Sequence, residues 1–274
     1  MRAERWSGGA SSWARRAHHR KSQAEGPVRL GSVGRRNLFV GTAGWSIPRD
    51  AVVHFDREGT HLQRYARVLN GTEINSSFYK PHAAKTYARW SASTPDDFRF
   101  SVKVPREITH DRRLVDVVPA LDRFLDETAG LGEKRGPLLA QFPPSFAFDA
   151  DLVERFLDDL RDRFDGLVAC EPRHPSWMTA TVDGLLRRRR VARVAADPPR
   201  TGEDDRPGGW PGLVYYRWHG SPRVYWSRYD HAQVDALAAA LYMVPDDAET
   251  WCVFDNTAAG AGCENALELR ARLR

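Results

Sequence analysis

Cysteine is scarce in this 274-residue chain, with only Cys170, Cys252 and Cys263. Three cysteines cannot build a disulfide framework, and their spacing matches no paired metal-ligand motif. A reducing cytosol is the compartment that fits such usage. Long apolar runs are also missing, and none approaches the ~18–20 residues of a membrane span. The turn after the first β-like run reads Gly41-Thr42-Ala43-Gly44-Trp45, not the G-x-G-x-x-G of a dinucleotide fold, and no H-E-x-x-H zinc motif occurs.

Acidic residues are rare at the N-terminus. Residues 1–36 carry nine Arg or Lys against Glu4 and Glu25, a balance of +7. The whole chain is +5, so the remaining residues sum to −2. The basic excess therefore belongs to the first 36 residues and is no warrant for nucleic-acid binding by the body. Residues 1–36 lack apolar periodicity and a continuous h-region, which excludes a secretory signal and favours a disordered Arg-rich extension. A weak likeness to an organellar transit peptide and a start codon set too far upstream are the alternatives.

From residue 37 the pattern alternates. Strands are expected at 38–41, 72–75, 98–103, 138–141, 167–170, 191–196, 213–218 and 251–255. Helices are expected at 60–69, 82–94, 119–131, 151–164, up to 187–190, at 231–242 and at 264–273. Eight β/α units in ~240 residues fit a single (β/α)8 TIM-type barrel over 37–274. A doubly wound open sheet is the main alternative.

Polar residues collect where these strands end. They are Glu73 and Asn75, Ser101 and Lys103, Gln141, Glu171 and Arg173 with His174 following, Asp197, Arg217 and His219, and Asp255 and Asn256. Pairs two apart share one strand face, and the C-terminal end of barrel strands is where active sites are built. A purely structural ion-pair lattice is the bland alternative, but buried pairs stabilise weakly because desolvation offsets their attraction. Trp45 and Tyr79 lie near the same end, with Phe78, Trp177, Trp218, Trp226 and Tyr229, as packing or as a ring-binding platform. His110 is a loop histidine that caps either the site or a helix.

The motifs "GTAGWS" (41–46), "TEINSSFY" (72–79), "FRFSVKVPREITHDRRL" (98–114), "GPLLAQFPPSFAFD" (136–149), "CEPRHPSW" (170–177), "YYRWHGSP" (215–222) and "FDNTAAGAGCENALEL" (254–269) resemble the YecE-like family, which carries a domain-of-unknown-function label. The resemblance runs from about residue 38 to the end. It implies a TIM-type barrel and no particular reaction. Ala43 stands where the family often has Ser, and Ile47 where an aromatic is common.

Three functions are open. The leading one is metal-free acid–base chemistry on a small anionic substrate, as a hydrolase, lyase or isomerase without a cofactor. Glu171 or Glu73 would act as base and His219 as proton donor. Lys103, Arg173 and Arg217 would hold a phosphate or carboxylate, and Asn75, Gln141 and Asn256 would orient its oxygens. A metal held by Glu73, Glu171, His174, His219 and Asp255 is disfavoured because the same strand ends bring three cations. Nucleic-acid processing or binding, and a non-catalytic ligand-binding barrel, are the alternatives. No membrane partner is expected.

Overall fold

The computed structural model describes residues 37–199 and 206–274. The extension expected over 1–36 lies outside the described residues, as do 200–205 of the Pro- and Gly-rich loop. Short runs buried on both faces make most of the strands, here labelled β1 (Leu38–Thr42), β2 (Gly71–Ile74), β3 (Arg99–Lys103), β4 (Arg135–Gln141), β5 (Val168–Glu171), β6 (Val191–Arg193), β7 (Ala195–Asp197), β8 (Gly208–Gly209), β9 (Leu213–Trp218) and β10 (Glu249–Phe254). Helices α1 (His61–Ala66), α2 (Ala84–Ala92), α3 (Val118–Thr128), α4 (Ala150–Arg161), α5 (Ala180–Arg188), α6 (His231–Tyr242) and α7 (Ala261–Arg272) intervene. Side-chain caps start several of them. Thr60 and Asp230 form capping boxes with Gln63 and Gln233, and Asp149 and Thr179 accept from Leu152 and Val182 N–H.

The strands form two sheets, β1-β10-β9-β7 and β2-β3-β4-β5-β6-β8, parallel throughout except for the antiparallel pairing of β6 with β8. The chain is thus an α/β protein. Two seams separate the sheets. At one, an isolated parallel bridge joins Ala43 to Glu73, and Gly44 N donates to the Glu73 carbonyl at 2.8 Å. A Cβ on Gly41 would lie 1.8 Å from the Gly71 carbonyl oxygen, so this approach of β1 to β2 needs glycine. At the other, β6 and β7 are consecutive pieces of one segment. The single strand expected over 191–196 is broken at Val194, because its first half pairs with β5 and its second with β9.

Period-two alternation sorts the core. Val40, Val102, Leu138, Cys170 and Phe254 pack outward against helix residues such as Leu121, Phe156 and Leu269. The opposite faces of both sheets meet in a second cluster of Phe39, Leu139, Ala169, Ala192, Tyr215, Trp251 and Val253. Followed two residues onward, those inner faces turn polar. Leu139 leads to Gln141, Ala169 to Glu171, Tyr215 to Arg217 and Val253 to Asp255. This apolar floor is what positions the site above it.

Candidate functional site

Arg217 is the centre. It has no solvent exposure, and Nε and Nη2 donate to Glu73 Oε2 and Oε1 at 3.0 and 2.8 Å. Its Nη1 donates to Glu171 Oε2 at 3.0 Å, and Nη2 also lies 3.0 Å from Asp255 Oδ2. All three nitrogens are thereby committed to carboxylates from β2, β5 and the end of β10. The guanidinium fork expected to grip a ligand instead ties the two sheets together.

His219 closes a second ring of contacts. Its Nε2 is 3.0 Å from Glu171 Oε1 and its Nδ1 is 3.0 Å from Asp255 Oδ2. A carboxylate only accepts, so both contacts are hydrogen bonds when the ring carries both protons. Arg173 Nε donates to the same Glu171 Oε1 at 3.0 Å. Burial would raise the Glu171 carboxyl, but Arg173, Arg217 and His219 outweigh it and hold it well below the usual carboxylate range. Asp255 is likewise lowered, burial being outweighed by Arg217 and His219. A carboxylate so stabilised is a weak base.

Glu73 has a further partner. The Tyr215 hydroxyl lies 3.0 Å from Glu73 Oε2 and 2.9 Å from Ser101 Oγ. Since the carboxylate cannot donate, the tyrosine proton goes to Glu73. Burial, with the Glu73 charge beside it, pushes the phenol well above its ordinary range. Tyr215 precedes Arg217 by two residues, and that parity is the signal by which the sequence could have revealed it.

Lys103 differs from the other cations. It is 5% exposed, yet among the described residues its Nζ has neither a hydrogen bond nor an ion pair and rests 4.3 Å from the Phe78 ring centroid. Burial, with help from Arg217, lowers its pKa to about 8 despite Glu73, Glu171 and Asp255 nearby. His110 packs edge-on against the same Phe78 ring, centroids 4.9 Å apart. It sits in a wide π-helical turn, Glu107–Asp111, a geometry common at functional sites. Burial and the charges of Lys103, Arg106 and Arg173 push its pKa down to about 4, so the ring is neutral at pH 7.

Tyr225 covers the other side. Its ring stands edge-on to His219 at 5.8 Å, and it neighbours Arg173, whose pKa it helps to raise. Its backbone φ of 69° is left-handed, a conformation no sequence pattern announces for tyrosine.

The remaining expected site residues lie around this cluster. Gln141 is buried at the end of β4, and Asn75 is half-buried, its Oδ1 without a hydrogen bond among the described residues. A recess of about 350 Å3 between the ends of β1 and β2 is lined by Trp45, Asn75 and Tyr79 with Ala43, Gly44, Ser46 and Ser76. Trp45 also packs edge-on against Trp90, and Tyr79 is mostly exposed beside Phe78. His174 has a local task, its Nδ1 accepting from Ser176 N–H at 3.2 Å to cap the turn Pro175–Trp177. Asn256 binds the Ser227 carbonyl and Asn265, fastening the loop after β9 to α7. Among the described residues no group of three His, Cys, Asp or Glu side chains is arranged to hold a metal ion.

Comparison with known proteins gives consistent results. A family model described as "Protein of unknown function DUF72" matches residues 39–274. The UPF0759 protein YecE of Escherichia coli K12 is 30% identical over 167 residues, which is 58% of this chain and 59% of that protein. The match therefore spans less than two thirds of that relative's length. Two solved DUF72 family structures share the fold. One is from Enterococcus faecalis V583, with TM-score 0.73 and 21% identity over 86% of this chain and 95% of that one. The other, from Thermotoga maritima MSB8, gives TM-score 0.71 and 24% identity over 86% and 98%.

Proposed function

The chain belongs to the DUF72 family of proteins of unknown function, and from that membership and the site geometry we propose an enzyme doing acid–base chemistry on a small anionic substrate. The carrying observation is Lys103, a buried ammonium without an ion pair among the described residues, beside three carboxylates already claimed by Arg217, Arg173 and His219. Lys103 is thereby left without an ion pair among the described residues, and a phosphate or carboxylate at the mouth supplies one.

The roles shift from those expected by residue type alone. Lys103 and the half-buried Arg173 face the anion. Lys103 and the neutral His110 are the proton-transfer pair, since their pKa values are displaced toward and below neutrality by burial and neighbouring cations. Glu171, Glu73, Asp255, His219 and Arg217 form the charged floor that fixes Arg173 and sets the field. No step here calls for a metal or cofactor.

The finer architecture belongs to the same proposal. The two sheets are read as one eight-stranded TIM-type barrel, β6 and β7 counting as one broken strand and the Ala43–Glu73 bridge as its loosest join. No described helix is long and apolar enough to cross a membrane. Three buried free thiols support a cytoplasmic setting.

The test is turnover. Incubation with a panel of phosphorylated and carboxylated metabolites, followed by proton and phosphorus NMR, should reveal at least one that is consumed. Lys103→Met should stop its consumption while keeping the wild-type circular dichroism spectrum. Undiminished turnover in Lys103→Met would refute the assignment.

A further inference from the structure

Lysine is rare here. Of 41 basic residues only Lys21, Lys80, Lys85, Lys103 and Lys134 are lysines, leaving 36 arginines. Arginine fills the neighbouring cationic positions 173 and 217, yet the position over Phe78 is a lysine. Arginine would supply charge and a bidentate grip. What lysine adds is an amine that can lose its proton and attack carbon.

The surroundings leave that amine free. The carboxylates that would otherwise hold it as an ammonium are tied up, Glu73 by Arg217 and Tyr215, Glu171 by Arg217, Arg173 and His219, and Asp255 by Arg217 and His219. Lys134, the other lysine with a settled place, donates to the Ser91 and Thr94 carbonyls at 2.9 and 2.7 Å. Nothing comparable engages Lys103 Nζ among the described residues.

Building on the anion-binding reading above, we propose that Lys103 is a nucleophilic amine that forms a Schiff base with a small anionic aldehyde or ketone. The free amine attacks the carbonyl carbon, a C–N bond forms, and the carbonyl π pair moves to oxygen. Two of the three ammonium protons end on that oxygen, which leaves as water, and nitrogen keeps the third. Ammonium plus carbonyl gives iminium plus water, so no oxidant, reductant or outside proton is needed. Arg173 holds the substrate's anionic group. His110, on the same Phe78 ring, is placed to carry the proton from nitrogen to oxygen. Burial and Arg217 lower the ammonium to about 8, which keeps an appreciable fraction free at neutral pH.

Glyoxylate with cyanoborohydride at pH 7 is the probe, read by peptide mass mapping as carboxymethylated lysine. Against exposed Lys80 and Lys85, Lys103 has a free-amine fraction on the order of 10²-fold larger. Its labelling should be about tenfold faster or more, allowing for partial burial. Lys103→Arg should lose that label and keep its circular dichroism spectrum. Labelling of Lys103 no faster than of Lys80 and Lys85 would overturn the proposal. Calorimetry with inorganic phosphate separates the two readings. Phosphate binding that needs Lys103, without preferential labelling, removes the amine chemistry and leaves the anion site standing. Preferential labelling without any phosphate or glyoxylate binding removes the anion site and leaves the amine.

Discussion

Replacing Arg217 by Met strips three buried carboxylates of their shared guanidinium while keeping an apolar side chain of similar reach. Glu73 and Glu171 are at most 1% exposed and Asp255 5%, so water cannot replace the lost donors. Breaking a buried ion pair from one side costs about 3–5 kcal/mol. With a urea slope of ~3 kcal/mol per molar, the denaturation midpoint should fall by ~1–1.7 M. The pH dependence should also flatten. In the wild type the depressed Glu171 and Asp255 stabilise the fold above the unfolded carboxylate values of ~4. That contribution is lost only as pH falls through their lower folded values. Without Arg217 the depression shrinks but is not abolished, since Arg173 and His219 still face Glu171 and His219 still faces Asp255. The variant therefore gains less stability than the wild type as pH rises from acid to neutrality. Urea titrations followed by circular dichroism at pH 3, 4, 5 and 7 read both effects. A cost under about 1 kcal/mol at pH 7, or a variant that loses as much stability between pH 7 and pH 3 as the wild type, would refute the reasoning.

Three other outcomes follow from the same geometry. Tyr215→Phe removes the proton given to Glu73 and a partner of Ser101, and should cost about 1–3 kcal/mol in urea denaturation. Lys103 has a folded pKa of about 8, below its unfolded value, so its charged form opposes folding at neutral pH. Wild-type stability should rise between about pH 8 and pH 10 by up to ~3 kcal/mol, and Lys103→Met should flatten that rise. Burial pushes Cys170 and Cys263 up to about 12 and Cys252 higher still. Ellman's reagent should therefore find no reactive thiol in the native protein and three after denaturation.

Much of this arrangement could be read before any coordinates. Two-residue spacing placed Ser101 with Lys103, Glu171 with Arg173 and Arg217 with His219 on shared strand faces, and the structure converges Glu171, Arg173, Arg217 and His219 on Glu73 and Asp255. What spacing could not tell was which partners each charge would choose. Arg217 and Arg173 are both two residues past an inner apolar or charged position, but only Arg217 ends with every nitrogen spent on carboxylates. The break at Val194 was hidden because 191–196 is a run without Pro or Gly, interrupted only by Arg193. Its halves are parted by different sheet partners, which is a tertiary choice. His174 follows two positions of matching parity and then departs from them, because Pro175 begins a turn that the imidazole caps. Tyr225 reaches the site through a left-handed backbone within a loop, where neither periodicity nor residue type points inward.

Lys103 and Arg173 are the cations proposed to hold the anion, and anion binding measures that role most directly. Calorimetric titration with inorganic phosphate and with malonate should give saturable binding of at least one of them to the wild type. Lys103→Met and Arg173→Met should each weaken it by about tenfold or more, the ~1.4 kcal/mol or more expected of a charge-assisted contact, while Lys80→Met leaves it unchanged. No saturable binding of either anion, or equal binding by all four proteins, would contradict the account.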